Sequence, residues 1–345
     1  MADNTTIIEI AKRLRVSPST VSRALHDHPR INKSTKERIQ ETARSMNYER
    51  NSQAVFFKQQ RTHTIGVILP NIKEEFFSEA ISGIEEIAAG YDYTILFGQS
   101  HDDPEREKKV IMAMKRQRVD GIIISLSKLS TKIDYQKEIE ASGIPIIYFD
   151  RVPERNDVNK VYCSMINSTI DLINCLFSRG YKKIAMINGP DSLNASSERV
   201  EGFKMAHIAK KIKIDMRYVE NCDLTEASTN EAMSRLLSLK KTPDAIISFN
   251  DYVHMYATRY AHQNGVRINE NIAFVSYSNL NITYYTSFPP LISVEQFPKV
   301  QGERAMEIII QLLEQKNKGE LAGIPQYLHR DVPSKIIVHT DTGCA

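Results

Sequence analysis

Apolar residues recur at two different periods along this 345-residue chain, and the change of period marks its first boundary. Over the first fifty residues the spacing is helical. Ile7, Ile10, Ala11 and Leu14 fall on one face, with Thr6 placed to cap the segment. The Arg15-Val16-Ser17 connection leads to Pro18, which suits the first position of a second helix because its missing N–H has no intrahelical partner there; Ser17 is the expected cap. Val21, Ala24 and Leu25 share one face of that helix, while Pro18, Ser19, Ser22 and Arg23 share the other. A third helix is expected over 34–46, with a Ser34 cap, Glu37 three residues on, and Ile39, Ala43 and Met46 facing inward. Two short helices joined by a tight turn and followed by a third form the helix-turn-helix pattern, whose second helix enters the DNA major groove. Any small three-helix domain with one polar face fits the same pattern.

From Thr64 onward the period changes. The runs IGVIL, TILF, GIIIS, IPIIYF, KIAMI, AIISF and IAFVSY alternate with helical stretches. Continuous Val/Ile-rich runs of this kind predict parallel strands buried on both faces, hence an α/β body. In open parallel sheets ligands bind beyond the carboxyl ends of the strands. There the chain places Asn71, Gln99, Asp150-Arg151, Asn188, Asn250-Asp251 and Ser278-Asn279. Polar loops also serve simply as surface, so no one of these positions is diagnostic alone.

Composition narrows the function classes. With 41% apolar and 25% charged residues the chain reads as an ordinary globular protein of two or three folding units. Its four cysteines show no metal-binding spacing, and the start MADNTT lacks the basic and apolar regions of an export leader. No apolar run approaches the ~18–20 residues that cross a bilayer, so a cytoplasmic protein without a membrane partner is expected. The net charge of +3 conceals an asymmetry: residues 1–62 carry 12 Lys and Arg against 6 Asp and Glu, leaving 33 against 36 in the rest. A basic head on a mildly acidic body points to nucleic acid at the N-terminal end. Enzyme signatures such as GxxxxGK[ST], GxSxG, HExxH and GxGxxG are missing, so no catalytic residue, metal or cofactor is expected.

On the polar face of the second helix, Arg23 can pair guanine O6 and N7 bidentately, and Ser19 and Ser22 can act as donor or acceptor on a base edge. The stretch from IIEIAKRL through VSPSTVSRAL to ARSMNYERN resembles the DNA-binding head of the LacI/GalR family of bacterial repressors, whose signature runs close to VAxxAGVSxxTVSRxLN. The resemblance implies that Pro18, Ser19, Ser22 and Arg23 read bases, while Thr20, Thr35, Tyr48 and Asn51 hold the phosphate backbone and so set register without carrying sequence information. Arg15 stands where the family usually has Gly, His26 where Asn is common, and Arg50 where Pro is usual. Residues 51–62 correspond to a hinge that becomes helical on DNA, with Phe57 at the position of a minor-groove Leu wedge. Packing of Phe56 and Phe57 onto the body is the competing reading.

Further along, TIGVILPNIKEEFFSEAISGIEE, RVDGIII, GIPIIYFDR, GYKKIAMINGP, SERVEGF, PDAIISFND and PPLISVEQ resemble, in order, the effector-binding core of the same family. That core is similar to periplasmic sugar-binding proteins. It implies an α/β body of two Rossmann-like subdomains, joined by three crossovers and closing on a small molecule. The domain division is then 1–50 helix-turn-helix, 51–62 hinge, and 63–345 effector-binding and dimerisation. By correspondence Asn71, Phe76 and Phe77 border the pocket from the first subdomain, Asp150 lies at its rim, and Arg199, Asn250 and Ser278 come from the second. Glu75 stands where the family often has Pro before its Phe pair, and Ser278 where sugar-binding members often carry Asp. A polyol, a phosphorylated sugar, an oligosaccharide fragment and a nucleobase all remain open as effectors, and Arg199 could equally form a structural salt bridge. The resulting expectation is a homodimeric transcriptional regulator, most simply a repressor, that binds double-stranded operator DNA under effector control. A sugar-binding receptor and a sugar- or nucleotide-processing α/β enzyme are the alternatives.

Overall fold

The structure, a computed structural model, describes residues 5–48, 61–129, 143–318 and 327–339. Contacts divide the chain into two units, Met1–Thr62 and His63–Ala345.

In the first unit, helix α1 (Ile7–Leu14) opens on a reciprocal cap in which the Glu9 N–H donates to Thr6 Oγ1 and the Thr6 N–H donates to the Glu9 carboxylate. It ends at Arg15, whose φ of 54° is left-handed. Helix α2 (Pro18–Leu25) has the expected proline start and a Ser17 cap that accepts from the Thr20 N–H. Helix α3 (Lys33–Ser45) departs from expectation. Its cap is Asn32, whose Oδ1 accepts from the Thr35 N–H at 2.8 Å, and Ser34 instead lies inside the helix and donates to the same oxygen. Asn caps as well as Ser does, and the residue placed to reach the third N–H of the turn takes the role. Eight-residue helices are too short to persist in water alone. They are held by a shared core of Ile10, Ala11, Val21, Ala24, Ile39 and Ala43.

The second unit has two lobes. The first contains β1 (Thr64–Leu69), α4 (Glu75–Gly90), β2 (Thr94–Gln99), α5 (Pro104–Arg116), β3 (Gly121–Ile124), β4 (Ile146–Phe149) and β5 (Asn159–Tyr162). Helix α6 (Met165–Ser178) leads to the second lobe, which contains β6 (Ile184–Asn188), α7 (Asn194–Ala209), β7 (Val219–Asn221), α8 (Glu226–Leu237), β8 (Ala245–Ser248), α9 (Asp251–Gln263), β9 (Ala273–Ser278) and β10 (Ile292–Glu295). The chain then returns through α10 (Pro298–Lys318) to β11 (His329–Asp331) and crosses once more to β12 (Lys335–Val338). The sheet orders are β11-β5-β4-β3-β1-β2 and β12-β10-β9-β8-β6-β7, so the chain changes sheet three times, as the resemblance implied. In each sheet the order reverses beside the lobe's first strand, which opens a crevice at the carboxyl ends.

All seven apolar runs form strands, and β3, β4, β6, β8 and β9 are buried at every residue. One expectation needs correcting. Strand β2 lies at a sheet edge and is not buried on both faces; its Phe97 is exposed. Strand β12, outside the seven runs, pairs antiparallel with β10. Within the first lobe α4 and α10 cross closely. A Cβ on Gly83 would lie 2.1 Å from the Lys299 carbonyl oxygen, and one on Gly302 the same distance from that of Ala80. Only glycine at both positions permits the crossing.

Candidate nucleic-acid interface and effector cleft

Burial of Val21 and Ala24 turns the opposite face of α2 outward, leaving Pro18, Ser19 and Arg23 exposed and Ser22 half-buried. The Ser17 hydroxyl lies 2.8 Å from those of both Ser19 and Thr20, which fixes the start of the helix. Among the described residues of this unit, Lys36 has an ion pair, with Asp27 at 2.6 Å, whereas Arg23 has none. An exposed guanidinium with no internal anion is free to pair with a base edge. Thr35 sits in the first turn of α3, and Tyr48 packs partly against the small core. Asn51 and Phe57 lie outside the described residues.

The second unit supplies a cleft between its lobes, at the carboxyl ends of the strands. Its inner chamber has a volume of about 680 Å³, including its opening to solvent. Six of the seven expected residues line it: Phe76 and Phe77 from α4, Asp150 after β4, Arg199 from α7, Asn250 at the start of α9, and Ser278 at the end of β9. Asn71 is the exception. It lines an adjoining outer chamber with Lys73, Lys128, Asp223 and Tyr256, while Glu74, Arg151, Asn250 and Tyr252 border both spaces.

Arg199 dominates the inner chamber. It is 3% exposed, and its guanidinium carbon lies 4.0 Å from the ring centres of both Phe249 and Tyr277. The Tyr277 hydroxyl is in turn fixed 2.6 Å from that of Thr169. Arg199 Nη2 points at the Met165 sulfur at 3.6 Å, whereas Nε and Nη1 are buried without a hydrogen-bond partner. No carboxylate comes within ion-pair distance of it among the described residues, so the salt-bridge alternative is not what the structure contains. Burial lowers its pKa, opposed by Tyr277 and Asp150.

Asp150 is half-buried, directly after β4. Burial raises its pKa, opposed by Arg151 and Arg199, and it accepts weakly from Ser125 at 3.4 Å. Arg151 is occupied by Asp102 at 2.6 Å and lies over the Phe77 ring. Asn250 uses Oδ1 to cap α9 through the Val253 N–H, which leaves its amide N–H groups for other partners. Ser278 holds a left-handed φ of 99° and lies 3.4 Å from Gln296 Oε1. The chamber thus offers a buried donor cation, a half-buried carboxylate and aromatic faces, a combination that suits a compact polar ligand with hydroxyl or other acceptor groups.

Not every polar strand end serves the cleft. Asn188 uses its amide to hold the Ser196 carbonyl, Gln99 accepts from the Ile72 N–H, and Asn279 donates to Glu295. Conversely, Glu74, Asn194, Phe249, Tyr252 and Gln296 line the inner chamber unforeseen. For Phe249 the signal was present, since it sits between strand β8 and Asn250. Direct bonds between lobes flank the cleft: Lys128 Nζ donates to the Asp223 carbonyl at 3.0 Å, Ser192 to the Lys128 carbonyl, and Asn194 to the Val152 carbonyl at 3.2 Å. Among the described residues no helix is long and apolar enough to cross a membrane, and no cluster of metal-ligating side chains occurs.

Residues 6–51 match the family model "Bacterial regulatory proteins, lacI family", and residues 62–331 match "Periplasmic binding proteins and sugar binding domain of LacI family". The chain is 27% identical over 314 residues to the HTH-type transcriptional repressor CytR of Escherichia coli K12, covering 91% of each chain. It is 26% identical over 329 residues to catabolite control protein A of Priestia megaterium, covering 95% of this chain and 97% of that one. In fold it is similar to the lac repressor dimer bound to operator and the anti-inducer ONPF, with a TM-score of 0.82 at 20% identity over 97% of this chain and 98% of that one. The matched segments take in the helix-turn-helix unit and nearly all of the two-lobed unit, and the chain belongs to the lacI family of bacterial regulatory proteins.

Proposed function

We propose that this regulator is a cytoplasmic homodimeric repressor whose α2 helices read a pseudo-palindromic operator and whose cleft takes a sugar or sugar derivative as effector. Residues 1–50 form the DNA-binding domain, 51–62 the joint, and 63–345 the effector-binding and dimerisation domain. Two heads are needed because one short helix reads only a few base pairs, and two-fold symmetry in the protein matches two half-sites in the DNA. Pro18, Ser19, Ser22 and Arg23 face base edges, while Thr20, Thr35, Tyr48 and Asn51 hold phosphates and Phe57 wedges the minor groove. Phe76, Phe77, Asp150, Arg199, Asn250 and Ser278 contact the effector, with Asn71 in the outer chamber. The observation that carries the reading is the pairing, in one chain, of an unpaired recognition arginine with a cleft built around a buried guanidinium that has two unpartnered nitrogens. Effector switches the heads by binding the closed lobes more tightly than the open ones; about 10⁴-fold discrimination would swing a 1:99 population to 99:1.

An electrophoretic shift with DNA fragments flanking the protein's own gene, with and without a panel of sugars and sugar phosphates, tests the proposal. Fragment-selective retardation altered by one of the panel is expected, and no retardation of any fragment at low salt defeats it. Arg23→Ala is expected to abolish preference among fragments while keeping residual, salt-sensitive binding. Equal loss on every sequence would reduce Arg23 to a phosphate contact.

A further inference from the structure

The cleft has a second inter-lobe connection, on the flank where α4 begins, and it involves the residue that stands in place of the family's proline. Three successive backbone N–H groups in the second lobe are taken by two carboxylates from opposite lobes. Asp251 Oδ2, from the same lobe, accepts from Leu280 at 2.6 Å. Glu75, from the first lobe, accepts from Asn281 at 2.9 Å through Oε1 and from Ile282 at 3.1 Å through Oε2. The Leu280 side chain is 4% exposed and belongs to the first lobe's apolar core, so this segment is inserted across the boundary. Tyr252 of the second lobe reaches back, its hydroxyl accepting from the Glu75 N–H at 3.2 Å and donating to the Lys73 carbonyl at 3.3 Å.

Hydrogen bonds to an ionised acceptor are roughly twice as strong as neutral ones, and two made by one carboxylate to adjacent amides also fix direction. Rotation of the lobes apart must break both. A proline at position 75 would supply neither oxygen nor the N–H that Tyr252 receives. We propose that Glu75 is an inter-lobe latch: by gripping the Asn281 and Ile282 amides it sets the balance between closed and open cleft, and so the effector concentration at which the regulator responds. A device that favours one conformer shifts apparent effector affinity through the fraction of binding-competent molecules. The functional consequence rests on reading the cleft as an effector clamp; the latch itself does not.

Hydrogen–deuterium exchange with residue-level mass spectrometry tests it on the full chain, with neither effector nor DNA present, so its outcome is independent of the regulator reading. In Glu75→Ala the Asn281 and Ile282 amides are expected to exchange roughly 10- to 100-fold faster, the span of a lost charge-assisted bond, while amides of β6 and β8 keep their protection. Glu75→Gln, which keeps one acceptor oxygen and the shape, is expected to fall between. The radius of gyration from X-ray scattering should rise in the alanine variant. Unchanged exchange at the two amides overturns the latch. So does equal acceleration throughout the body, which would make Glu75 a general support of the fold, and so does faster exchange without any change in the radius.

Discussion

Replacing Arg199 by Met separates binding from stability, because the two are expected to respond differently. Nε and Nη1 have no partner, so the guanidinium retains unused donor capacity inside the protein. If each nitrogen meets an acceptor on the effector, loss of both charge-assisted bonds removes about 3–6 kcal/mol, roughly 10²- to 10⁴-fold in affinity. Stability follows another balance. The two rings at 4.0 Å each lend the cation about 1–2 kcal/mol, which Arg199→Met forfeits, though a thioether against the same rings recovers part of it. Against that, removing a buried charge that has no counter-ion relieves a desolvation penalty on the order of a few kcal/mol. The terms are of similar size and opposite sign, so the unfolding free energy should stay within about 1 kcal/mol of the parent. Urea titration of the full chain followed by circular dichroism measures this, since the sequence has no tryptophan to report by fluorescence. Calorimetry with the sugar that alters operator retardation measures the affinity. A stability loss above about 3 kcal/mol would make Arg199 a structural anchor after all, and undiminished affinity would remove it from the effector contacts.

Two further outcomes follow from backbone and protonation. Arg15 ends α1 in the left-handed region, exposed, with a conformation that costs a side-chain-bearing residue about 1 kcal/mol more than glycine. Arg15→Gly should therefore raise the melting temperature of the helical head by about 4–8 °C in calorimetry of the full chain, and an unchanged or lower value would count against the strain argument. Burial lifts the Asp251 carboxyl from an ordinary 3.8 to about 7, partly opposed by the Leu280 N–H and by Ser276. The folded state then holds a proton that the unfolded state has released between about pH 4 and pH 7. Stability should fall as pH rises through that window, by at most about 4 kcal/mol from this group. Asp251→Asn keeps an acceptor for Leu280 but cannot ionise, so urea midpoints at pH 5 and pH 8 should lie closer together than in the parent. Parallel pH profiles for the two proteins would show that Asp251 does not titrate as argued.

Which parts of this molecule were legible in its sequence depends on how far each residue acts along the chain. The head helices were readable because their caps, faces and stops lie within a few residues of one another, and the one misplaced cap, Ser34 for Asn32, is an exchange between neighbouring residues that can both do the job. Central strands were readable because burial on both faces demands unbroken apolar runs. By contrast β5, β7 and β11 are three or four residues long and carry charged side chains, as edge positions allow for β7 and β11, so their local pattern does not separate them from loops. The cleft divides the same way. Asn188 and Asn250 end equivalent strands with the same side chain, yet one is spent on the Ser196 carbonyl and the other borders the chamber. Both are held within their own lobe, Asn188 by the Ser196 carbonyl eight residues on and Asn250 by the Val253 N–H three residues on, but both local patterns are a polar residue after an apolar run, and only the folded geometry shows which side chain borders the chamber. Glu75 states the point most sharply. Its departure from the family pattern was visible, but its partner amides lie 206 and 207 residues away, reached only after the chain has built both sheets and crossed between them. A carboxylate whose acceptors are matched to donors that remote is set by the geometry of closure, and closure is the property on which the response of such a regulator turns.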